Sequence, residues 1–406
     1  MTVLKRINQD DLRNHNLSVV LNTMLRSTSA FSRADLAKET GLTKATMSLL
    51  VSMLLSHHIV KEGAPLVQSV YGRPSTPLSI AGGSVCGIGI QINTDGYGYV
   101  VLDLDGSVVA ERWIARDLHD ADADALFDEL DTMLIEQEKT LRAQNYMIAG
   151  VGLALPGLVT EDGHLLMARN LGWEDLDLSR FDLVRRFDVV VANESNMAAV
   201  AQLPGYATQR TDEGIVGPNG SFLYVSTDIG IGGAIVRGGR VVTGDHGFAG
   251  EIGHLSVQMD GPVCRCGRRG CVEAYAGRRS MVEAAGVAEG NAAVSQEALD
   301  EFGRRVQEGD PVATAVFADA GHAMTSMLTS VINLADLDTV IIGGSWSRVP
   351  ADVLARMAAR IQERILARGT LNVRLLRASG ISRPALFGAA QTGLRNFIDD
   401  PLRYLG

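Results

Sequence analysis

The chain has 406 residues, 46% of them apolar and 21% charged, with a formal net charge of −10 at pH 7. That length exceeds what one hydrophobic core serves and predicts two or three domains. No run approaches the roughly 18 unbroken apolar residues of a membrane span, and no apolar segment follows the basic pair Lys5-Arg6, so no membrane role and a cytoplasmic location are expected.

The charge is unevenly spread. Residues 1–80 carry nine Lys/Arg against five Asp/Glu, which is +4, and the remainder carries 28 against 42, which is −14. A basic module on an acidic body suits a head that attracts phosphates while the body resists non-specific collapse onto nucleic acid.

Leu17, Val20, Leu21 and Met24 recur at helical spacing and predict one amphipathic helix over 11–26. Ser32, with Asp35 three residues on, predicts a capped second helix that buries Leu36 and stops at Gly41. Thr43 caps a third, whose inner face is Met47, Leu50, Val51 and Leu54. Two short helices joined through a Gly-Leu turn form a helix-turn-helix pattern, in which the third helix enters the major groove by its N-terminal residues. Thr43, Lys44, Ala45, Thr46 and Ser48 are therefore the candidate DNA-reading residues. An extended stretch after Val60 and the run Tyr71-Gly72-Arg73-Pro74 suit a β-wing, with Arg73 at its tip entering the minor groove. A helix trio used only for packing is the alternative.

From Gly82 the pattern becomes period-two strands between glycine turns. Strands are predicted over 85–92, 97–104 and 108–114, then a helix through the 120s to 140s, then a strand over 148–155. A second meander follows over 222–227, 233–237 and 240–242, with a buried strand over 339–342 that ends in Gly343-Gly344. Two copies of a meander followed by helices predict an internally duplicated α/β body with a ligand cleft between its halves.

Three of the four cysteines, Cys264, Cys266 and Cys271, fall within eight residues, shortly after Gly250-Glu251-Ile252-Gly253-His254. Three thiolates and one imidazole make a closed tetrahedral zinc set, His254, Cys264, Cys266 and Cys271, with no open position for catalysis. The expected cofactor is a structural Zn²⁺.

These segments, together with Leu155-Pro156-Gly157, Asn170-Leu171-Gly172-Trp173 and Asn193-Glu194-Ser195-Asn196, make the chain similar to the ROK family of bacterial repressors and sugar kinases, over nearly its whole length. The resemblance implies a winged helix-turn-helix over 1–80 and an actin-like (ribonuclease H-like, sugar-kinase-type) α/β domain with a structural zinc loop, its lobes spanning 81–200 and 201–406. It implies that Asn193, Glu194, Glu251, His254, Glu273, Gly157 and Asn170 contact a sugar, His254 also binding the metal. Family kinases carry an aspartate where this chain has Glu194, Asp-x-Gly-Gly-Thr where it has Gln91-Ile92-Asn93-Thr94-Asp95, and Gly-Thr-Gly where it has Asp228-Ile229-Gly230. Carboxylates at both phosphate loops oppose a triphosphate, so phosphoryl transfer is not expected. The resemblance implies a sugar-responsive repressor of carbohydrate genes, acting on operator DNA as a homodimer or homotetramer. An ATP-dependent sugar kinase with an accessory head is the alternative.

Overall fold

Three helices form where caps and apolar spacing place them. Helix α1 (Gln9–Leu25) starts at Asn8, which trades hydrogen bonds with Asp11, and buries Leu17, Val20, Leu21 and Met24. Helix α2 (Arg33–Thr40) runs from a Ser32–Asp35 capping box to Gly41, whose φ of 72° is the left-handed geometry that favours glycine. Helix α3 (Lys44–Ser56) is capped by Thr43 and buries Met47, Leu50, Val51 and Leu54. Strand β1 (Val60–Glu62) then pairs antiparallel with β2 (Leu78–Ile80), Val60 opposite Ile80. The computed structural model describes residues 8–27, 30–64, 76–160, 162–203, 216 and 219–406, so the expected wing tip with Arg73 lies outside the described residues.

Strands β3 (Val85–Asn93), β4 (Gly96–Asp103) and β5 (Val108–Ala115) form the first meander, followed by α4 (Ala123–Ala143) and β6 (Met147–Leu155). A small antiparallel sheet of β7 (Leu158–Val159), β8 (His164–Ala168) and β9 (Trp173–Asp177) precedes α5 (Asp182–Phe187), β10 (Val190–Asn193) and α6 (Glu194–Val200). The main sheet has the order β10-β6-β3-β4-β5, with β3, β6 and β10 parallel.

The second copy opens with β11 (Phe222–Ser226), β12 (Gly232–Arg237) and β13 (Arg240–Val242). Helices α7 (Glu273–Ala276), α8 (Arg278–Ala284), α9 (Gln296–Gln307) and α10 (Pro311–Ala335) lead to β14 (Thr339–Ile342), α11 (Ala351–Arg364) and β15 (Arg374–Arg377). Its sheet order is β13-β12-β11-β14-β15, with β11, β14 and β15 parallel. Strand for strand, order and direction match the first sheet. The residues of the two copies differ, but the hydrogen-bonding plan is the same.

The chain ends with α12 (Pro384–Asp399) and α13 (Leu402–Leu405). Here the expected lobe boundaries need correction. The chain forms two units, Met1–Pro218 with Arg383–Gly406, and Asn219–Ser382, so the last helices belong to the first unit rather than to a lobe over 201–406. The cause lies in β3 and β6. Ile88, Ile90 and Ile92 share one core with Phe127, Leu130 and Leu134 of α4. Gly87 and Gly89 face the other way, where any side chain would run into the backbone of Leu386, Ala390 and Leu394. Gly152 is pressed in the same way against Ala389, so α12 lies flush on the sheet. Overpacking of this kind destabilises by about 1–3 kcal/mol, and occasionally by more. Gly89→Val is accordingly expected to lower the melting temperature of the first unit, while Gly83→Ala, with open space around it, tests only the cost of its positive φ.

The same C-terminal segment holds the head. Asn14 donates to Asp400 at 2.8 Å and accepts from the Leu402 backbone at 2.9 Å, and Arg395 donates to Asn22 at 2.9 Å. Replacing Asn14 and Asn22 together by alanine is expected to speed amide hydrogen exchange in α1 and leave α4 unchanged.

Candidate functional site

In the second unit the Cys264–Cys271 segment folds into a tight knuckle. The Cys264 N–H donates to the Arg268 carbonyl at 2.7 Å, and the Gly267 N–H donates to the Cys264 carbonyl at 2.9 Å. Gly267 turns the chain at φ 90°. Gly270, at φ 73°, lies where a side chain would strike the Gln258 carbonyl. His254 arrives on a short 3₁₀ turn, Ile252–His254, because Gly253 lets that turn lie directly on the Ile231 carbonyl.

The result is one cluster. Ligand atoms of His254, Cys264, Cys266 and Cys271 all lie within 4.8 Å of one another, with Cys264 Sγ 3.8 Å from His254 Nδ1 and Cys266 Sγ 3.7 Å from Cys271 Sγ. A tetrahedral centre with metal–sulfur bonds of about 2.3 Å requires sulfur–sulfur edges of about 3.8 Å. The donor set therefore fits a four-coordinate ion. Burial pushes the Cys264 thiol up to about 12, so a cation must displace its proton for it to ligate.

Two carboxylates flank this cluster. Glu273 Oε2 accepts the Ile231 N–H at 2.9 Å, and Oε1 lies 3.9 Å from Cys264 Sγ, so Glu273 ties the knuckle to the 228–231 loop. Glu251 makes no hydrogen bond through its carboxyl among the described residues. Desolvation raises its pKa, His254 opposes that shift, and Glu273 adds to it. Glu251 is an acceptor not yet in use.

The chain entering the 228–231 loop is tied to the 343–346 turn. Thr227 donates to the Gly343 carbonyl at 2.5 Å and accepts from the Trp346 N–H at 2.9 Å. Side chains at Gly343 or Gly344 would collide with Tyr224 or Thr227, so the glycine pair serves this packing. Ser226 donates to Asp228 at 3.2 Å.

In the first unit the other candidates gather where the parallel strands end, the usual ligand position in open α/β sheets. Asn193 closes β10 beside Leu155 of β6, donates to the Gly157 carbonyl at 2.8 Å, and caps α6 by accepting the Ser195 N–H at 2.7 Å. Gly157 turns at φ 97°, with Ala168 against it, and Asn170 follows two residues later. Trp173, in the same motif, is core: it is 6% exposed and donates to the Ala121 carbonyl at 2.7 Å.

One neighbour of the candidate residues was missed by sequence reasoning. Asn93, at the end of β3, donates to Glu194 Oε2 at 3.1 Å, while its own carbonyl accepts the Thr94 N–H at 2.7 Å. It bridges the first loop to the start of α6. The only signal was an amide side chain where the family's kinases carry glycine.

On the head, Lys44, Ala45 and Ser48 are exposed. Thr43 and Thr46 are engaged with each other, hydroxyl to hydroxyl at 2.9 Å, and the Thr46 N–H donates to Thr43. Those two serve the cap first.

A family model described as the ROK family matches residues 87–394. The xylose repressor of Bacillus subtilis (strain 168) is 27% identical over 400 residues, covering 98% of this chain and 97% of the repressor. N-acetylmannosamine kinase of Escherichia coli O157:H7 is 30% identical over 230 residues, 55% of this chain and 70% of the kinase. Among solved structures, a ROK family transcriptional regulator, a homologue of the E. coli MLC protein, superposes with a TM-score of 0.75 at 24% identity over 97% of this chain and 99% of its own. A ROK hexokinase from Thermus thermophilus superposes at 0.61 and 24% identity, over 77% of this chain and 99% of its own. The actin-like, sugar-kinase-type fold follows from these likenesses.

Proposed function

Because the chain belongs to the ROK family, we propose that it is a sugar-responsive DNA-binding repressor whose kinase-like body is a sensor rather than an enzyme. One observation carries this reading: the likeness to xylose repressors runs through the head as well as the body, over 98% of the chain, whereas the kinase match covers 55%. Among the described residues, no helix is long and apolar enough to cross a membrane. A cytoplasmic repressor accords with that.

In this reading α1–α3 with β1 and β2 form the winged helix-turn-helix. Thr43, Lys44, Ala45, Thr46, Ser48 and Arg73 face operator DNA, and a homodimer or homotetramer places several heads on repeated half-sites. The metal is zinc, held by His254, Cys264, Cys266 and Cys271. When bound it supplies a fixed cationic anchor for the knuckle. In the second unit Glu251, His254 and Glu273 are the proposed sugar contacts; in the first they are Asn193, Glu194, Gly157 and Asn170. Asn93 and Glu273 orient their loops through the hydrogen bonds above. A buried polyol needs partners for each hydroxyl, and amide and carboxylate groups provide them. The sugar shifts the operator equilibrium only by binding one state better than the other. D-xylose is the first candidate, on the strength of the xylose repressors.

The test is an operator-binding assay over a sugar library, with D-xylose first. Release of the duplex by one sugar supports the reading, and retention unchanged by every sugar counts against it. Incubation with ATP, magnesium and the same sugars is expected to give no ADP. Turnover near 1 per second, ordinary for an enzyme, would restore the kinase reading. Arg73→Ala is expected to weaken DNA binding, with sugar affinity unchanged by calorimetry.

A further inference from the structure

Helix α3 sorts its side chains in a way that its cap and core do not explain. Met47, Leu50, Val51 and Leu54 are buried, while Lys44, Ala45, Ser48, Leu49 and Ser52 face solvent. Leu49 is 70% exposed. Ala45 and Leu49 are one helical turn apart, so their methyl groups form a short apolar strip, bordered by the hydroxyls of Ser48 and Ser52 and headed by Lys44. No Asp or Glu occurs anywhere in α3, and residues 1–80 carry +4.

We propose that Leu49 is a specificity-determining residue that reads thymine C5-methyl groups in the major groove of the operator. This rests on the repressor reading above. The occupant follows from the chemistry of the strip. An acid-free, singly cationic face with small hydroxyls complements a polyanion, and in the major groove the apolar feature of a base edge is the thymine methyl. Leu49 is the sixth residue of α3, within the first two turns that such a helix inserts. Ala45 and Leu49 on one line meet methyls of neighbouring base steps, and Ser48 and Ser52 hydroxyls bond the flanking base edges or phosphates.

The test uses the full-length protein to select duplexes from a random library. Each thymine of the selected site is then replaced by deoxyuridine, which removes only the methyl. Wild type is expected to lose about fourfold in affinity at each contacted thymine. Leu49→Ala is expected to bind about tenfold more weakly and to lose its sensitivity to deoxyuridine at those positions. Leu49→Gln, reselected from the library, is expected to exchange thymine for adenine there, since glutamine pairs with the adenine edge. All three side chains favour helix at an exposed position, and a melting curve confirms that each variant is folded. Wild type indifferent to every deoxyuridine overturns the proposal. So does Leu49→Ala with unchanged operator affinity, which would leave a protein partner as the use of the strip. Failure of the wild type to enrich any duplex would instead overturn the repressor reading on which the proposal rests.

Discussion

Cys266→Ala is expected to abolish stoichiometric metal binding and to lower the melting temperature of the Asn219–Ser382 unit by about 10 °C. The knuckle brings Cys266 Sγ to 3.7 Å from Cys271 Sγ and Cys264 Sγ to 3.8 Å from His254 Nδ1, spacings that a cation at the centre satisfies. Removing one partner from a buried charged set costs about 3–5 kcal/mol, and each kcal/mol moves the midpoint of a unit this size by about 2–4 °C. Because Cys264 is held as a thiol in the metal-free state by its burial, protons compete with the metal. Metal retention is therefore expected to fall as the pH is lowered. Elemental analysis beside a calorimetric melt checks both points. Identical melts for chelated and metal-replete wild type would show that the cluster holds no structural ion.

Glu251→Ala is expected to weaken the sugar response about 10- to 100-fold and to leave operator affinity unchanged. A hydrogen bond to a charged acceptor contributes about 1.5–3 kcal/mol, and every 1.4 kcal/mol is tenfold in affinity. Glu251 is the informative choice because its carboxyl bonds no other described residue, whereas Glu273 also accepts the Ile231 N–H at 2.9 Å. Glu273→Ala is thus expected to lower the melting temperature as well as the response, and Glu251→Ala only the response. Operator retention titrated with sugar, alongside a melt, separates the two. Unchanged sensitivity in Glu251→Ala would remove it from the effector site, and loss of both functions would indicate misfolding.

Asn193, one of the proposed sugar contacts, also has a structural role. Its side chain caps α6 through Ser195 and reaches the Gly157 carbonyl at 2.8 Å, so a mutation there confounds folding with the proposed sugar contact. Glu194, next in the chain, is tethered by Asn93 at 3.1 Å. Asn93→Gly removes that one hydrogen bond and tests what the tether contributes to effector affinity.

What the sequence determined by itself was local. Ser32 with Asp35, Gly41 and Thr43 set the ends of α2 and α3, because a cap is decided by side chains within three or four residues. The cysteine spacing with His254 identified the cluster that could hold a metal, since its members lie within one short stretch of chain. Apolar alternation located β3, β4 and β6 to within a residue or two. Only the tertiary structure decided what joins distant segments: the return of α12 to the first unit, which needs the glycines of β3 and β6 and the alanines of α12 to meet face to face; the Asn93–Glu194 bridge; and the hold of Asp400 and Arg395 on the head. A glycine reads as a turn in sequence, and only the helix lying across it shows that it is there to make room.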